Sequence, residues 1–164
     1  MFSKLETLDD LFELQIKDLY SAEHQLVKAL PLMAEKAQDP RLRDGFMRHA
    51  GETKNHIARL EQIGQGLKVD LGGHTCKAME GLIAEGQETM SERATPEVMD
   101  AALIAASQRI EHYEISGYGT AAHYAERLGH TEAAALLRQT LQEEQFTDTK
   151  LNDLAKSSIN AKAM

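Results

Sequence analysis

Residues 39–60, DPRLRDGFMRHAGETKNHIARL, contain the pattern that decides the fold. Asp39 followed by Pro40 is typical of a helix start, because aspartate caps free backbone amides and proline fits the first turn. Apolar residues then recur at the spacing of one helix face: Leu42, Phe46, Leu60 and Ile63. With about 100° of rotation per residue, His49, Glu52 and His56 fall on the same face. The helix is therefore predicted to bury three polar side chains, which requires a chemical reason.

The same criteria predict four long helices in the chain. Their expected bounds are about Leu5 to Ala37, Pro40 to Gly64 and Gly66, Thr95-Pro96-Glu97 to about Leu128-Gly129, and Thr131-Glu132 to about Ser158. Pro31 in the first helix either kinks it or ends its regular part. No strand-like alternation competes with these helices.

The connections between the helices predict their arrangement. Short turns join the first helix to the second and the third to the fourth, so each pair is antiparallel. About 30 residues separate the second helix from the third, and residues 74–90, HTCKAMEGLIAEGQETM, are expected to form a short helix there. A link of this length lets the second and third helices run parallel. The predicted fold is all-α: one domain over residues 1–164, with two antiparallel hairpins joined by a long crossover.

Composition limits the classes of function. Hydrophobic residues make up 42% and charged residues 27% of the 164 residues, as in soluble globular proteins. The formal net charge of −8 disfavours binding to nucleic acid or to an anionic membrane. Cys76 is the one cysteine, so no intrachain disulfide forms, which fits a reducing compartment. Residues 1–10, MFSKLETLDD, lack the apolar run of a signal peptide. We expect a cytoplasmic protein.

Each predicted long helix directs at least one carboxylate into its apolar face: Glu23, Glu52, Glu114 (with Glu111 beside it) and Glu144. The two hairpins repeat one spacing. Glu23 and Glu52 are 29 residues apart, and Glu114 and Glu144 are 30 apart. At about 1.5 Å per helical residue, the two carboxylates of each hairpin lie at similar heights. We therefore expect four carboxylates to converge on one level of the core.

Several buried carboxylates repel one another, so each must be protonated or find a positive charge. No Lys or Arg falls in the central arcs at this level, and Arg59 and Arg109 lie beside those arcs. Oxygen ligands with some imidazole suit iron or manganese. The sequence predicts a carboxylate-bridged site for two iron ions, with manganese as the alternative. The predicted ligands are Glu23, Glu52, Glu114, Glu144, His49, His56, Glu111 and Asp148.

Other interpretations are open for single residues. An isolated Glu at the edge of an apolar stripe is usually a partly solvated rim residue, and Glu111 or Glu143 fits that description. His49 and His56 are either ligands, donors to a carboxylate ligand, or core histidines. Asp148 is either a ligand or a rim residue.

Five stretches resemble one known group, the YciF/YciE family of ferritin-like proteins. They are DLYSAEHQL (18–26), HAGETKNHIARL (49–60), CKAMEGLIAEG (76–86), IEHYEISGYGTAAHYAERLG (110–129) and TLQEEQFTDTKLNDLA (140–155). The resemblance covers essentially the whole chain. It implies a ferritin-like four-helix bundle with a crossover helix, a homodimer, a dinuclear metal centre and an association with bacterial stress responses.

The resemblance also implies roles for single residues. Glu23 becomes a terminal ligand, Glu114 (or Glu111) is its counterpart on the third long helix, and Glu52 and Glu144 become bridging ligands. The wider superfamily has Glu-x-x-His on the second and fourth long helices. Here the +3 positions are Asn55 and Thr147, so a site richer in oxygen is expected.

Two functions follow as hypotheses. The first is a di-iron or di-manganese protein of the stress response that reacts with oxygen or peroxide, or that oxidises and binds Fe(II). The second is a non-catalytic, dimeric stress or interaction protein with a structural metal site. For the dimer, the crossover around Met79, Leu82 and Ile83 is the expected contact surface.

Overall fold

The computed structural model describes residues 5–164, and most of them lie in helices. The elements are α1 (Leu8–Lys36), α2 (Pro40–Leu67), α3 (Lys77–Ser91), α4 (Pro96–Arg127), α5 (Thr131–Leu154), one π-helical turn (Ala155–Ile159) and the short α6 (Asn160–Lys162). Residues 5–164 contain no strand. The prediction of an all-α, ferritin-like bundle is confirmed, and α3 is the short crossover helix.

The helix starts follow from local capping. The side chain of Asp39 accepts a hydrogen bond from the Arg41 amide, and Thr95 caps α4 before Pro96. α1 begins at Leu8, three residues later than expected, because Thr7 and Asp10 form a reciprocal capping box. α1 then continues through Pro31 to Lys36, so Pro31 does not end the helix.

Four long helices form the bundle, and α3 lies outside it. α1 packs against α2 and α4, and α5 packs against the same two helices. The α2–α5 pair is antiparallel, since Arg41 near the start of α2 donates to Ser158 beyond the end of α5. α3 covers α1 and α4. Met79 of α3 is fully buried, which corrects the expectation that it lies in an exposed contact surface. Leu82 and Ile83 are partly buried.

The apolar core is divided into two clusters along the bundle. One contains Leu26, Phe46, Ile110 and Leu151. The other contains Leu19, Leu60, Tyr118 and Leu137. On each long helix, the polar residues of the predicted site lie between these two positions in sequence. A polar layer therefore crosses the middle of the core rather than one of its ends.

Among residues 5–164, no helix has the length and apolarity needed to cross a membrane. The prediction for the N-terminal segment falls partly on residues 1–4, which lie outside the described residues.

Candidate metal centre

Six buried side chains converge in the polar layer. They are Glu23 of α1, His49 and His56 of α2, Glu111 and Glu114 of α4, and Glu144 of α5. His49 is 2% exposed and the other five are 0% exposed. They form two groups: His49, Glu111, Glu114 and Glu144 in one, and Glu23, His56 and Glu144 in the other. In each group, one potential ligand atom per residue lies within 4.8 Å of the others. Glu144 belongs to both.

Helix geometry explains why these residues meet. His49 and His56 are two turns apart on one face of α2, about 10 Å along the axis. Their rings lean towards each other, with centroids 6.3 Å apart. Glu111 and Glu114 are three residues apart, so they are neighbours on one face of α4. The histidine pair of α2 and the glutamate pair of α4 therefore enter the same layer from opposite sides of the bundle.

His56 joins the layer to an outer ion pair. Its Nδ1 lies 2.9 Å from Glu144 Oε1 and 3.2 Å from Glu23 Oε1. Its Nε2 lies 2.8 Å from Glu143 Oε2. Arg59 donates two hydrogen bonds to Glu143, of 2.6 and 2.8 Å. The imidazole is therefore held from both sides.

His49 has a similar arrangement with longer distances. Its Nε2 lies 3.3 Å from Glu111 Oε1 and 3.6 Å from Glu144 Oε2. Its Nδ1 lies 3.5 Å from Glu52 Oε2, and the Glu52 side chain is 30% exposed. Glu52 thus lies at the outer edge of the layer.

Burial and mutual repulsion control protonation. Burial raises the pKa of Glu114 well above its usual range, and nearby Glu144 and Glu23 raise it further. Burial also raises the pKa of Glu23 and of Glu144, although His56 opposes both shifts. For His56, burial disfavours the charged ring, but the close carboxylates of Glu144 and Glu23 outweigh it and raise the pKa to about 10. Burial and the neighbouring groups therefore favour the protonated forms of these side chains.

The residues fit a pair of cations. Within residues 5–164, ten buried side-chain nitrogen and oxygen atoms make no hydrogen bond of normal geometry, and all ten belong to these six residues. Six of the ten lie in His–Glu contacts of 2.9–3.6 Å. A buried polar atom without a partner costs about 1–3 kcal/mol, and more when it is charged. Carboxylate oxygens with imidazole nitrogens are ligands that iron and manganese accept. Four glutamates and two histidines are also the usual composition of a ferritin-like dinuclear site.

The structure brings together six of the eight predicted ligands. Glu52 and Asp148 lie outside the layer. Asp148 accepts a hydrogen bond of 2.9 Å from Gln108 and lies 3.3 Å from His112 Nε2. Both partners belong to α4, so Asp148 links α5 to α4 outside the layer. Glu111, which sequence also allowed as a rim residue, is fully buried in the layer.

The distribution of donors differs from the one that the resemblance implies. α2 contributes two histidines to the layer and no glutamate, whereas α4 contributes two glutamates. The resemblance placed a bridging glutamate, Glu52, on α2. The total remains four glutamates and two histidines, so the group that converges is not richer in oxygen than the usual site.

Three residues around the layer were absent from the predicted ligands. The Tyr118 hydroxyl, fully buried, donates a short hydrogen bond to Glu23. Glu143 and Arg59 form the outer pair at His56. Position along the helix could have identified two of these residues. Arg59 follows His56 by one helical turn, and Glu143 precedes Glu144 on the side that faces α2.

Comparisons with known proteins agree with this architecture. The family model described as "Domain of unknown function (DUF892)" matches residues 7–164. Protein YciF of Escherichia coli (strain K12) is 44% identical over 160 residues, covering 97% of this chain and 96% of that protein.

Solved structures show the same similarity. The crystal structure of the E. coli stress protein YciF matches with a TM-score of 0.92 and 44% identity, covering 95% of this chain and 99% of that one. YcfI of Rhodopseudomonas palustris matches with a TM-score of 0.89 and 42% identity, covering 93% and 98%. A protein of Xanthomonas campestris pv. campestris, 18% identical with a TM-score of 0.77 over 94% and 95% of the chains, shares the fold. The chain belongs to the DUF892 family, and its similarity to YciF confirms the resemblance stated from the sequence motifs.

Proposed function

We propose that the polar layer binds two metal ions, iron or alternatively manganese, and that the protein acts in the bacterial stress response through oxygen, peroxide or Fe(II) chemistry. Glu144 would help to hold both ions, because it belongs to both groups of donors. The E. coli relative is described as a stress protein, and we extend that role to this chain.

The observation that carries the proposal is the set of ten buried atoms that make no hydrogen bond of normal geometry. Four glutamates and two histidines are enclosed between two apolar clusters, and the nearby Arg59 pairs with Glu143 rather than with the layer. Within residues 5–164, six of these atoms have only His–Glu contacts, and the other four have neither a hydrogen-bond nor an ion-pair partner. Cations bound in the layer would provide partners for all of these atoms.

The chain's own residues would perform distinct tasks. A bound pair of iron or manganese ions would supply redox chemistry to the site. Glu23, Glu114 and Glu144 would lose protons when the ions bind, as would His49 and His56. The Tyr118 hydroxyl orients Glu23. A groove between α2 and α5, lined by Phe46, Leu151 and Leu154 among others, reaches His49 and offers small molecules an approach.

Metal content tests the proposal directly. The protein is purified from its own cells, and separately loaded with Fe(II) or Mn(II) and desalted, before elemental analysis. We expect two ions per chain in the wild type and fewer than one in Glu144→Gln. Glu126→Gln is the control, because it breaks an exposed Arg138–Glu126 pair remote from the layer and should retain two ions. A wild type that binds neither metal refutes the proposal.

Burial of the layer favours a second candidate, a non-catalytic stress protein with a structural metal site. Five of the six side chains have no exposed surface, which limits access of a substrate. Turnover separates the two candidates: the first predicts that the loaded protein consumes peroxide or oxidises added Fe(II), and that Glu144→Gln abolishes this. The second predicts unchanged peroxide sensitivity of cells carrying Glu144→Gln.

We also propose that the protein is a homodimer with no nucleic-acid partner, and that it is cytoplasmic. Size-exclusion chromatography with light scattering measures the mass. A dimer is expected to appear at twice the chain mass of 18.2 kDa, whereas a storage cage would be far larger.

A further inference from the structure

We propose that Glu143, anchored by Arg59, is a positioning residue that fixes His56 with its Nδ1 towards the centre, so that the half of the site around Glu23 and His56 binds its ion more tightly than the half around His49. This inference rests on the proposed function, since it assumes that the polar layer binds metal.

The first step is the anchoring of Glu143. Both of its oxygens accept hydrogen bonds from the Arg59 guanidinium, at 2.6 and 2.8 Å. Arg59 also donates to the Thr140 hydroxyl at 3.0 Å, and its side chain is only 15% exposed. A bidentate arginine–carboxylate pair has a defined geometry. Glu143 therefore keeps one orientation although its own side chain is 31% exposed.

The second step is the effect on His56. Glu143 Oε2 lies 2.8 Å from Nε2, while Nδ1 faces Glu144 and Glu23. A carboxylate on the outer nitrogen of an imidazole ligand fixes both the tautomer and the ring orientation, and its removal typically weakens metal binding by about 10–100-fold. With the proton held at Nε2 by Glu143, Nδ1 is left as the donor to a metal ion.

The third step is the contrast with His49. Its outer carboxylate is Glu52, at 3.5 Å from Nδ1, and the side chain of Glu52 is 30% exposed. Within the described residues, Glu52 makes one ion pair, and its partner is His49. Among residues 5–164, no arginine holds Glu52 in a bidentate pair, so ordering the Glu52 side chain on metal binding would cost conformational entropy. The two histidines also present opposite nitrogens to the layer, Nδ1 from His56 and Nε2 from His49.

The test is a titration of the metal-free full chain with Mn(II), followed by calorimetry. Two resolved binding steps are expected for the wild type. Glu143→Gln should weaken the tighter step by about 10–100-fold and leave the weaker step within about threefold. Glu52→Gln should weaken the other step by less. Glu126→Gln breaks an exposed Arg–Glu pair of the same type and should change neither step.

Two further measurements keep the inference testable if Glu143→Gln folds poorly. Arg59→Lys retains the charge but removes the fork, and it should weaken the tighter step by a smaller factor. Nitrogen-15 NMR of the Zn(II)-loaded wild type should find the His56 proton on Nε2.

The outcomes separate this inference from the proposed function. If the wild type binds two Mn(II) ions and Glu143→Gln weakens neither step, or weakens both equally, the positioning role is refuted while the metal site stands. A His56 proton on Nδ1 also refutes it. If the wild type binds no Mn(II), Fe(II) or Zn(II), both are refuted together.

Discussion

The metal-free protein is expected to lose stability as the pH rises from 7.5 to 9. The buried carboxylates around His56 raise its folded pKa to about 10, above the ordinary value of 6.5. The stabilisation from its charged form is therefore complete below pH 6.5 and is lost as the pH rises through 10. The raised pKa values of Glu23, Glu114 and Glu144 act in the same direction, since charging them opposes folding.

The magnitude follows from proton linkage. A group that is protonated in the folded state and deprotonated in the unfolded state changes the free energy of unfolding by about 1.4 kcal/mol per pH unit. Over 1.5 pH units, His56 alone contributes a loss of about 2 kcal/mol. For a chain of this size, this lowers the midpoint of thermal unfolding by roughly 4–8 °C. Glu52 and Glu143 have lowered pKa values, so they are charged throughout this range in both states and do not contribute.

Urea unfolding of chelator-treated protein at pH 7.5 and 9 measures the effect. His123→Gln is the control, because His123 is exposed on α4 and should leave the pH dependence unchanged. Protein loaded with metal should show the opposite trend, since the ligands must lose protons to bind the ions. Metal-free protein that is equally stable or more stable at pH 9 would refute the linkage between the layer and its protons.

Four other variants test separate features, each by urea unfolding of metal-free protein. Glu114→Gln removes a buried carboxyl that must take up a proton on folding and should stabilise the protein by about 1–3 kcal/mol, so a loss of stability would contradict the charge argument. Tyr118→Phe leaves a Glu23 oxygen without its donor and should cost about 1–3 kcal/mol. Gly117→Ala places a Cβ 2.8 Å from Leu19 Cδ2 and should cost about 1–3 kcal/mol by overpacking, whereas Gly51→Ala, with no atom within 4 Å, should stabilise the helix by about 0.5–1 kcal/mol.

Local signals predicted most helix bounds. Asp39 and Thr95 cap α2 and α4 as the cap-and-proline pairs indicated. The π-helical turn at Ala155–Ile159 was not predicted, because its residues continue the apolar periodicity of α5. Such a turn depends on packing with another element, here α4. A single helix pattern does not contain that information.

Periodicity located the layer but not its edges. Residues near the middle of a stripe, such as Glu144, lie inward whatever the neighbouring helix offers. For residues 40° to 100° from the middle of the stripe, the side chains of the neighbouring helix decide the orientation. Asp148 turns to Gln108 on α4, and Glu143, on the other edge of α5, meets Arg59 on α2. Rotation alone could not separate these two outcomes, because both depend on side chains of a different helix.

The position of the layer ties metal binding to the fold. Its six side chains come from all four long helices, and it separates the two apolar clusters that hold those helices together. Without cations, each long helix contributes buried polar atoms to the same level, and burying such atoms opposes the packing of the hairpins there. Ions bound by the two groups, which share Glu144, would link α5 to α1, α2 and α4. α3 contributes no donor to the layer, and it is held by its packing on α1 and α4. Bound metal would therefore stabilise the four-helix bundle more than the crossover.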